Sequence, residues 1–177
     1  MKKLVIYKSK TGYTEKYAKW IAAETDSEIF RLKDIDIDVV RDYDVIVYCG
    51  GLYAGGILGF SFIKKNFEKL KNKKVIVVAV GATIKKEEAA QEVKNKNLLP
   101  CMEKQVEFFL LRGGLNYKRM CFFDKVLMFL LLQSKKMKKK EKLDEESKGL
   151  IATYGKTVDF TDKNSIKPIL NLMEEEI

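Results

Sequence analysis

One short segment of the chain combines hydroxyl side chains with a glycine and a lysine, residue types that bind phosphate groups. It follows an apolar run, leads into a pattern of helical period, and consists of Ser9, Lys10, Thr11, Gly12, Tyr13 and Thr14. Hydroxyls and the amides at a helix start can together hold a phosphate group without a full countercharge. An ordinary helix cap uses the same residue types, so both interpretations stay open at this point. The glycine spacing of a Walker loop or of a dinucleotide-binding turn is absent.

Two further glycine-rich segments carry an aromatic side chain that could contact a planar ring. The first consists of Leu52, Tyr53, Ala54, Gly55 and Gly56, and the second of Arg112, Gly113, Gly114, Asn116 and Tyr117. Glycine backbone can lie close to a ring system, and a tyrosine can stack on it. A glycine turn that merely exposes a tyrosine is the alternative. Gly81, which follows another apolar run, completes the candidate cofactor-binding residues.

Composition excludes several classes of chemistry. The chain has no histidine, so the usual serine and cysteine triads, histidine-ligated zinc and imidazole acid–base catalysis are all ruled out. Its three cysteines show no CxxC spacing and are expected to be reduced thiols of a cytoplasmic protein. No metal site is predicted, and no catalytic residue can be assigned. A net charge of +9 favours anionic partners.

The elements that must position these segments are apolar runs separated by stretches of helical period. Strands are predicted at residues 4–7, 28–32, 45–49, 75–80 and 106–111, and helices start near Tyr13, Phe60, Glu87 and Ile166. This alternation predicts an α/β fold: a doubly wound, five-stranded parallel sheet of order 2-1-3-4-5 in a single domain, 1–177. Because parallel strands end at the same edge of a sheet, the three candidate segments should lie together there.

A segment at about 115–148 does not fit the alternation and is interpreted as an insertion between the fifth strand and the last helix. It contains an apolar stretch, 122–132, followed by a lysine run, 135–142. From Leu115 to Lys142 there are nine basic and two acidic residues, a local charge of +7. Residues 122–142 could attach to an anionic membrane surface, or the apolar stretch could pack on the protein. Nucleic-acid binding is not expected, because no aromatic residues are interleaved with the lysines.

Three motifs make the chain resemble the flavodoxin-domain family that includes the menaquinone-dependent protoporphyrinogen oxidases. The family's phosphate loop, [ST]-x-T-G-x-T, is matched by Ser9, Thr11, Gly12 and Thr14. Its flavin loop, G-x-x-Y-A-G, is matched by Gly50, Tyr53, Ala54 and Gly55. Its turn R-G-x-x-[DN]-Y, followed by an apolar and then lysine-rich insert, is matched by Arg112, Gly113, Asn116, Tyr117 and residues 122–142. The resemblance implies non-covalent FMN and the sheet order given above.

The resemblance also implies a function: electrons would pass from a reduced, porphyrinogen-type substrate through FMN to a quinone. The alternative is a flavodoxin-like electron carrier between redox proteins, with no small-molecule substrate of its own. Usual electron-carrier flavodoxins are strongly acidic, so the charge of +9 disfavours the carrier. We therefore expect a cytoplasmic oxidoreductase that can lie peripherally on the inner face of the cell membrane.

Overall fold

The computed structural model describes residues 1–82, 87–136 and 145–175 of the chain. These ranges contain the following strands: β1 (Lys3–Lys8), β2 (Glu28–Arg31), β3 (Val45–Tyr53), β4 (Gly56–Ile57), β5 (Lys74–Gly81), β6 (Val106–Arg112), β7 (Gly114–Asn116) and β8 (Thr157–Asp159). They also contain the following helices: α1 (Tyr13–Thr25), α2 (Ile37–Val40), α3 (Ser61–Asn66), α4 (Glu87–Asn97), α5 (Phe122–Lys136), α6 (Glu145–Thr153) and α7 (Lys167–Glu174). Strands and helices alternate as the sequence predicts for an α/β fold.

The central sheet has the order β2-β1-β3-β5-β6, and all neighbouring strands on this path are parallel. Counted among these parallel strands alone, the order is the predicted 2-1-3-4-5, so the doubly wound sheet is confirmed. The short β4, which was not predicted, pairs antiparallel with the end of β3.

The sheet is covered on both faces, which explains why its central strands lack polar alternation. Along β1, Leu4 and Ile6 belong to one apolar cluster, whereas Val5 belongs to the other. Helices α1 and α7 cover the Val5 side of the sheet. Helix α3 and the residues that directly follow α4 cover the opposite side. The core therefore consists of two layers that hold the strand ends rigidly.

All four predicted helices are present, and one of them is divided. The pattern from Phe60 to Leu70 forms α3 followed by a 3-10 turn over Phe67–Leu70. Helices often tighten into a 3-10 turn at the carboxyl end. The change keeps Ile63, Phe67 and Leu70 buried against the sheet, so the pattern still marks the apolar face.

The insert is set off from the main sheet by an antiparallel ladder between β7 and β8. Gly114 pairs with Asp159 and Asn116 with Thr157, and α5 and α6 lie between the two strands. The ladder that encloses the insert therefore closes at β8, beyond residue 148. Its strands were not predicted because strands of three residues are too short for periodicity to reveal. Lysines 135 and 136 end α5, whereas the rest of the lysine run, to residue 142, lies outside the described residues.

Among the helices of the described ranges, none combines the length and the apolar character needed to cross a membrane.

Candidate cofactor site at the carboxyl edge of the sheet

A cavity of about 550 Å³ lies where β1, β3, β5 and β6 end. Predicted site residues that line it are Lys10, Thr11, Tyr13, Thr14, Leu52, Tyr53, Ala54, Gly81, Gly113 and Gly114. Its remaining walls come from Gly51, Leu58, Val80, Ala82, Leu115, Met120, Asp124, Leu127, Met128 and Leu130. The volume lies within the range of about 300–1,000 Å³ typical of small-molecule sites. All three candidate segments thus contribute to one cavity.

The first segment forms a tight loop that ends in the first turn of α1. Gly12 adopts a left-handed conformation, with φ of 100°, which glycine allows without strain. The Ser9 hydroxyl accepts a hydrogen bond from the Gly12 N–H at 3.0 Å, and the Lys16 N–H donates to the Gly12 carbonyl at 3.0 Å. Among the residues that the structure describes, no side chain caps the helix at Gly12, so the amides of its first turn are left for another acceptor.

The side chains of this loop divide between the cavity and the insert. Thr11 and Thr14 line the cavity, and Thr14 is almost fully buried. The Tyr13 hydroxyl donates towards the carbonyls of Val158 at 2.9 Å and Leu115 at 3.2 Å, which joins α1 to the β7–β8 ladder. Burial is the main cause of the raised pKa of Tyr13, so this phenol stays a hydrogen-bond donor.

The second segment is a tight β-hairpin between β3 and β4. Ala54 and Gly55, its two central residues, have φ of 49° and 78°, as in the primed turns that suit twisted strands. The buried Asn97 at the end of α4 holds the hairpin: its Oδ1 accepts from the Ile57 N–H and its Nδ2 donates to the Gly55 carbonyl, both at 2.9 Å. Gly55 therefore faces α4, while Tyr53 and Ala54 reach the cavity.

A cluster of three side chains links the first two segments to α5. Lys10 Nζ lies 3.1 and 3.3 Å from the two carboxylate oxygens of Asp124 and 3.8 Å from the centre of the Tyr53 ring. The same carboxylate lies beside Tyr53 and is the main reason that the pKa of Tyr53 is raised. Burial alone would raise the pKa of Asp124, but the neighbouring Tyr53, Lys10 and Cys121 side chains outweigh it and lower that pKa. Asp124 therefore holds a negative charge at the cavity wall.

The third segment contributes backbone rather than a charged side chain to the cavity. Gly113 and Gly114 line the wall, and the Gly113 N–H donates to the Gly81 carbonyl at 2.6 Å. The Arg112 guanidinium lies over the Phe160 ring at 4.0 Å, outside the set of residues that line the cavity. Within the described part of the chain, Arg112 Nε is buried and has no hydrogen-bond partner.

The last two candidates of this segment organise the insert instead of lining the cavity. The Asn116 side chain accepts from the Arg119 N–H at 3.2 Å and so caps a 3-10 turn over Tyr117–Arg119. The Tyr117 ring packs edge-to-face on Tyr154, which directly follows α6, with ring centres 5.5 Å apart, and Lys125 of α5 lies over it at 5.3 Å. Asn116 and Tyr117 thus join the ladder to both insert helices.

Helix α5 lies across the mouth of the cavity with different residues on its two sides. Asp124, Leu127 and Met128 recur at helical spacing and line the cavity. On the outside, Phe122 is 75% exposed and Phe123 is 80% exposed, and Phe129 is also exposed. Helix α5 is therefore a cover of the cavity, and its outer surface is apolar.

The most informative residue that the sequence analysis missed is Asp124. Its sequence signal was a single carboxylate at the start of a long apolar run, but nothing in the run indicated which loop it would contact. Arg119 was also missed. In the structure it lies against the first loop, since a Cβ built on Gly12 would be only 2.8 Å from Arg119 Nη1. Both residues belong to the insert, so only the folded chain brings them to the first loop.

Comparison with solved structures returns the following similar chains. A two-electron reduced flavodoxin of Megasphaera elsdenii matches with a TM-score of 0.45 and 23% identity, covering 61% of this chain and 84% of that one. The Trp repressor binding protein of Bacillus subtilis matches with a TM-score of 0.49 and 20% identity, over 65% and 85% of the two chains. A flavoprotein of Lactobacillus acidophilus, solved in complex with FMN, matches with a TM-score of 0.41 and 19% identity, over 63% and 91%.

Two sequence comparisons cover most of the chain. An uncharacterized protein of Methanocaldococcus jannaschii is 32% identical over 129 residues, which span 66% of this chain and 85% of that protein. The family model of the flavodoxin domain matches residues 4–143, a range that runs from β1 into the insert and includes all three segments of the cavity. With its parallel sheet order and its loop at the end of β1, the chain belongs to the flavodoxin domain family.

Proposed function

We propose that this protein binds FMN in the cavity at the carboxyl edge of the sheet and acts as an FMN-dependent oxidoreductase. The observation that carries the proposal is the cavity itself, which has an uncapped helix start and two threonines at one end and Tyr53 with an apolar wall at the other. FMN has the same division, with a phosphate at one end and a planar ring at the other.

The phosphate end of the cavity fits a dianion. The first-turn amides of α1 have no side-chain cap, and Thr11 and Thr14 add two hydroxyl donors. An anion at this position is also favoured by the helix dipole. These groups would hold the phosphate of FMN with Ser9 and Gly12 shaping the loop.

The other end of the cavity fits a planar, mostly apolar ring. Leu52, Ala54, Leu127 and Met128 surround it, and Tyr53 stands at its side. Lys10 covers one face of the Tyr53 ring, so stacking of a flavin uses the opposite face. Bound here, FMN supplies the redox chemistry by taking up electrons from one partner and releasing them to another. The protein's part is to position the ring and to keep water away from it.

We further propose that the reduced substrate is porphyrinogen-like and that the electron acceptor is a quinone. Besides the family resemblance, the support is the apolar wall that α5 adds beyond the three loops, formed by Met120, Leu127, Met128 and Leu130. Such a wall suits a planar apolar reactant that lies beside the flavin. No residue is assigned as a general base.

The second candidate is an electron carrier without a small-molecule substrate, and the specific observation in its favour is the match to the flavodoxin domain over residues 4–143. The two proposals differ in turnover. An oxidase oxidises protoporphyrinogen anaerobically when a menaquinone analogue is present, and the porphyrin product is followed by its absorption. A carrier is reduced by a flavodoxin reductase but gives no porphyrin above the protein-free control.

We also propose that the insert places the cavity near an anionic membrane surface, where a quinone dissolves. Exposed Phe122, Phe123 and Phe129 stand on α5, and the segment from Leu115 to Lys142 carries a charge of +7. Sedimentation with anionic and neutral vesicles tests this step. We expect binding to anionic vesicles that weakens with salt; equal binding to both vesicle types rules out the membrane role.

The experiment that tests FMN binding compares FMN with riboflavin, which lacks the phosphate. Titration followed by flavin fluorescence should give tighter binding of FMN to the parent protein. In the double variant Thr11→Ala, Thr14→Ala the affinity for FMN should fall on the order of a hundredfold, because two charge-assisted hydrogen bonds are lost. Riboflavin should bind both proteins equally. Ser27→Ala, at the opposite edge of the sheet, is the matched control, and an unchanged FMN affinity in the double variant contradicts the proposed site.

A further inference from the structure

Arg119 of the insert lies directly against the loop that precedes α1. It is the last residue of the 3-10 turn after β7, and its position is set by the hydrogen bond from its N–H to the Asn116 side chain at 3.2 Å. A Cβ built on Gly12 would lie 2.8 Å from Arg119 Nη1. The guanidinium therefore occupies the space that the missing side chain of Gly12 leaves open.

The neighbouring cations of this loop are already paired, whereas Arg119 is not. Lys10 pairs with Asp124 at 3.1 Å, and Lys16 pairs with Asp159 at 2.7 Å. Within residues 1–82, 87–136 and 145–175, the exposed Arg119 side chain has neither a carboxylate nor a hydrogen-bond acceptor as partner. Its charge also lies next to the positive end of the α1 dipole, an arrangement that is repulsive until an anion lies between them.

We infer that Arg119 binds the phosphate of FMN, so that the insert supplies a cofactor-binding residue in addition to covering the cavity. The inference rests on the proposed function. A guanidinium presents several N–H donors in one plane and can donate two hydrogen bonds to a phosphate. The loop of the first segment supplies amides and hydroxyls from one side, and Arg119 supplies a full positive charge from the other.

The test measures flavin affinity in Arg119→Gln and in the control Lys118→Gln, which removes an exposed cation from the same turn. We expect the FMN dissociation constant of Arg119→Gln to rise about tenfold, the size expected for one partly exposed charge-assisted hydrogen bond. The riboflavin dissociation constant should not change in either variant. Arg119→Lys should recover part of the FMN affinity because it restores the charge without the planar donors.

The dependence on pH and salt separates phosphate binding from a structural role of Arg119. The second pKa of a phosphate monoester is about 6, so the preference of the parent protein for FMN over riboflavin should increase between pH 5 and pH 7. This increase should be smaller in Arg119→Gln, and so should the loss of FMN affinity with added salt. A change in folding alone would alter riboflavin binding equally at both pH values.

The outcomes distinguish this inference from the proposed function. If FMN binds the parent but Arg119→Gln keeps the same ratio of FMN to riboflavin affinity as Lys118→Gln, Arg119 is not a phosphate ligand. If neither flavin binds the parent, the proposed function fails. The anion site is then tested by a phosphorus NMR titration with inorganic phosphate, in which equal binding to the parent and Arg119→Gln overturns the inference.

Discussion

Replacing Asp124 with Asn should loosen α5 from the edge of the cavity. The Asp124 side chain is 12% exposed, and both of its carboxylate oxygens accept from Lys10, at 3.1 and 3.3 Å. Lys10 is 44% exposed, so solvent screens the pair in part. We expect the free energy of opening α5 to fall by about 1–2 kcal/mol, a value between those for exposed ion pairs and for charge-assisted hydrogen bonds.

Native-state hydrogen exchange of the α5 amides measures this loss directly, because α5 can open without unfolding of the sheet. At pH 7 the amides of Asp124→Asn should exchange about five to thirty times faster than those of the parent. Glu24→Gln, which breaks the surface pair with Lys163, is the matched control and should leave α5 unchanged. Equal α5 exchange in Asp124→Asn and the parent at pH 7 would refute the reasoning.

The same substitution gives a dependence on pH with a defined sign. Folding lowers the pKa of Asp124, so the contribution of the carboxylate is fully present above the ordinary aspartate pKa of about 3.9 and is lost as the pH falls through the lowered value. The exchange rates of the parent and Asp124→Asn should therefore converge at the acid end of the range. A difference that grows on acidification contradicts the charge-based explanation.

Three other substitutions test the remaining parts of the site and core. Tyr53→Leu should restore part of the quenched flavin fluorescence of the FMN complex, and a variant as quenched as the parent shows that another group stacks. Asn97→Leu leaves the Ile57 N–H without its acceptor and should cost about 1–3 kcal/mol in urea unfolding, whereas no change excludes Asn97 as the support of the hairpin. Ile169→Ala, at a fully buried position of α7, should cost about 2–5 kcal/mol in the same assay; a cost no greater than that of an exposed control such as Leu99→Ala contradicts the proposed packing.

The exposed apolar side of α5 bears on the choice between the two candidate functions. Phe122 and Phe123 are largely exposed within a single turn, and such a surface in a protein generally marks a contact with a partner or a membrane. The deletion of residues 122–142 should leave the loop of β1 able to bind FMN, with an affinity reduced by the loss of the cavity wall that α5 provides, while quinone-linked turnover is abolished. A deletion variant that keeps full turnover would argue for the carrier.

The sequence by itself determined the sheet and the edge on which the site lies. Runs such as Val75–Val80 contain no polar alternation, and this pattern has one simple solution, a parallel strand covered on both faces. Strand order then followed from the alternation with helices, and the ends of β1, β3 and β6 had to share one edge. Thr11, Thr14, Tyr53 and Gly113 were found in this way because they lie at or shortly after the ends of strands.

Only the tertiary structure decided which residues complete the cavity and which merely border it. The Gly55 carbonyl accepts from Asn97, 42 positions along the chain, and Tyr117 packs on Tyr154, 37 positions along the chain, whereas Asn116 caps a local turn of the insert. Asp124 lies 114 positions along the chain from its partner Lys10, and Arg119 lies 107 positions from Gly12. Both contacts arise from closure of the β7–β8 ladder. Local periodicity carries no information about such contacts, since it reports which face a residue occupies and not which loop of another element it meets.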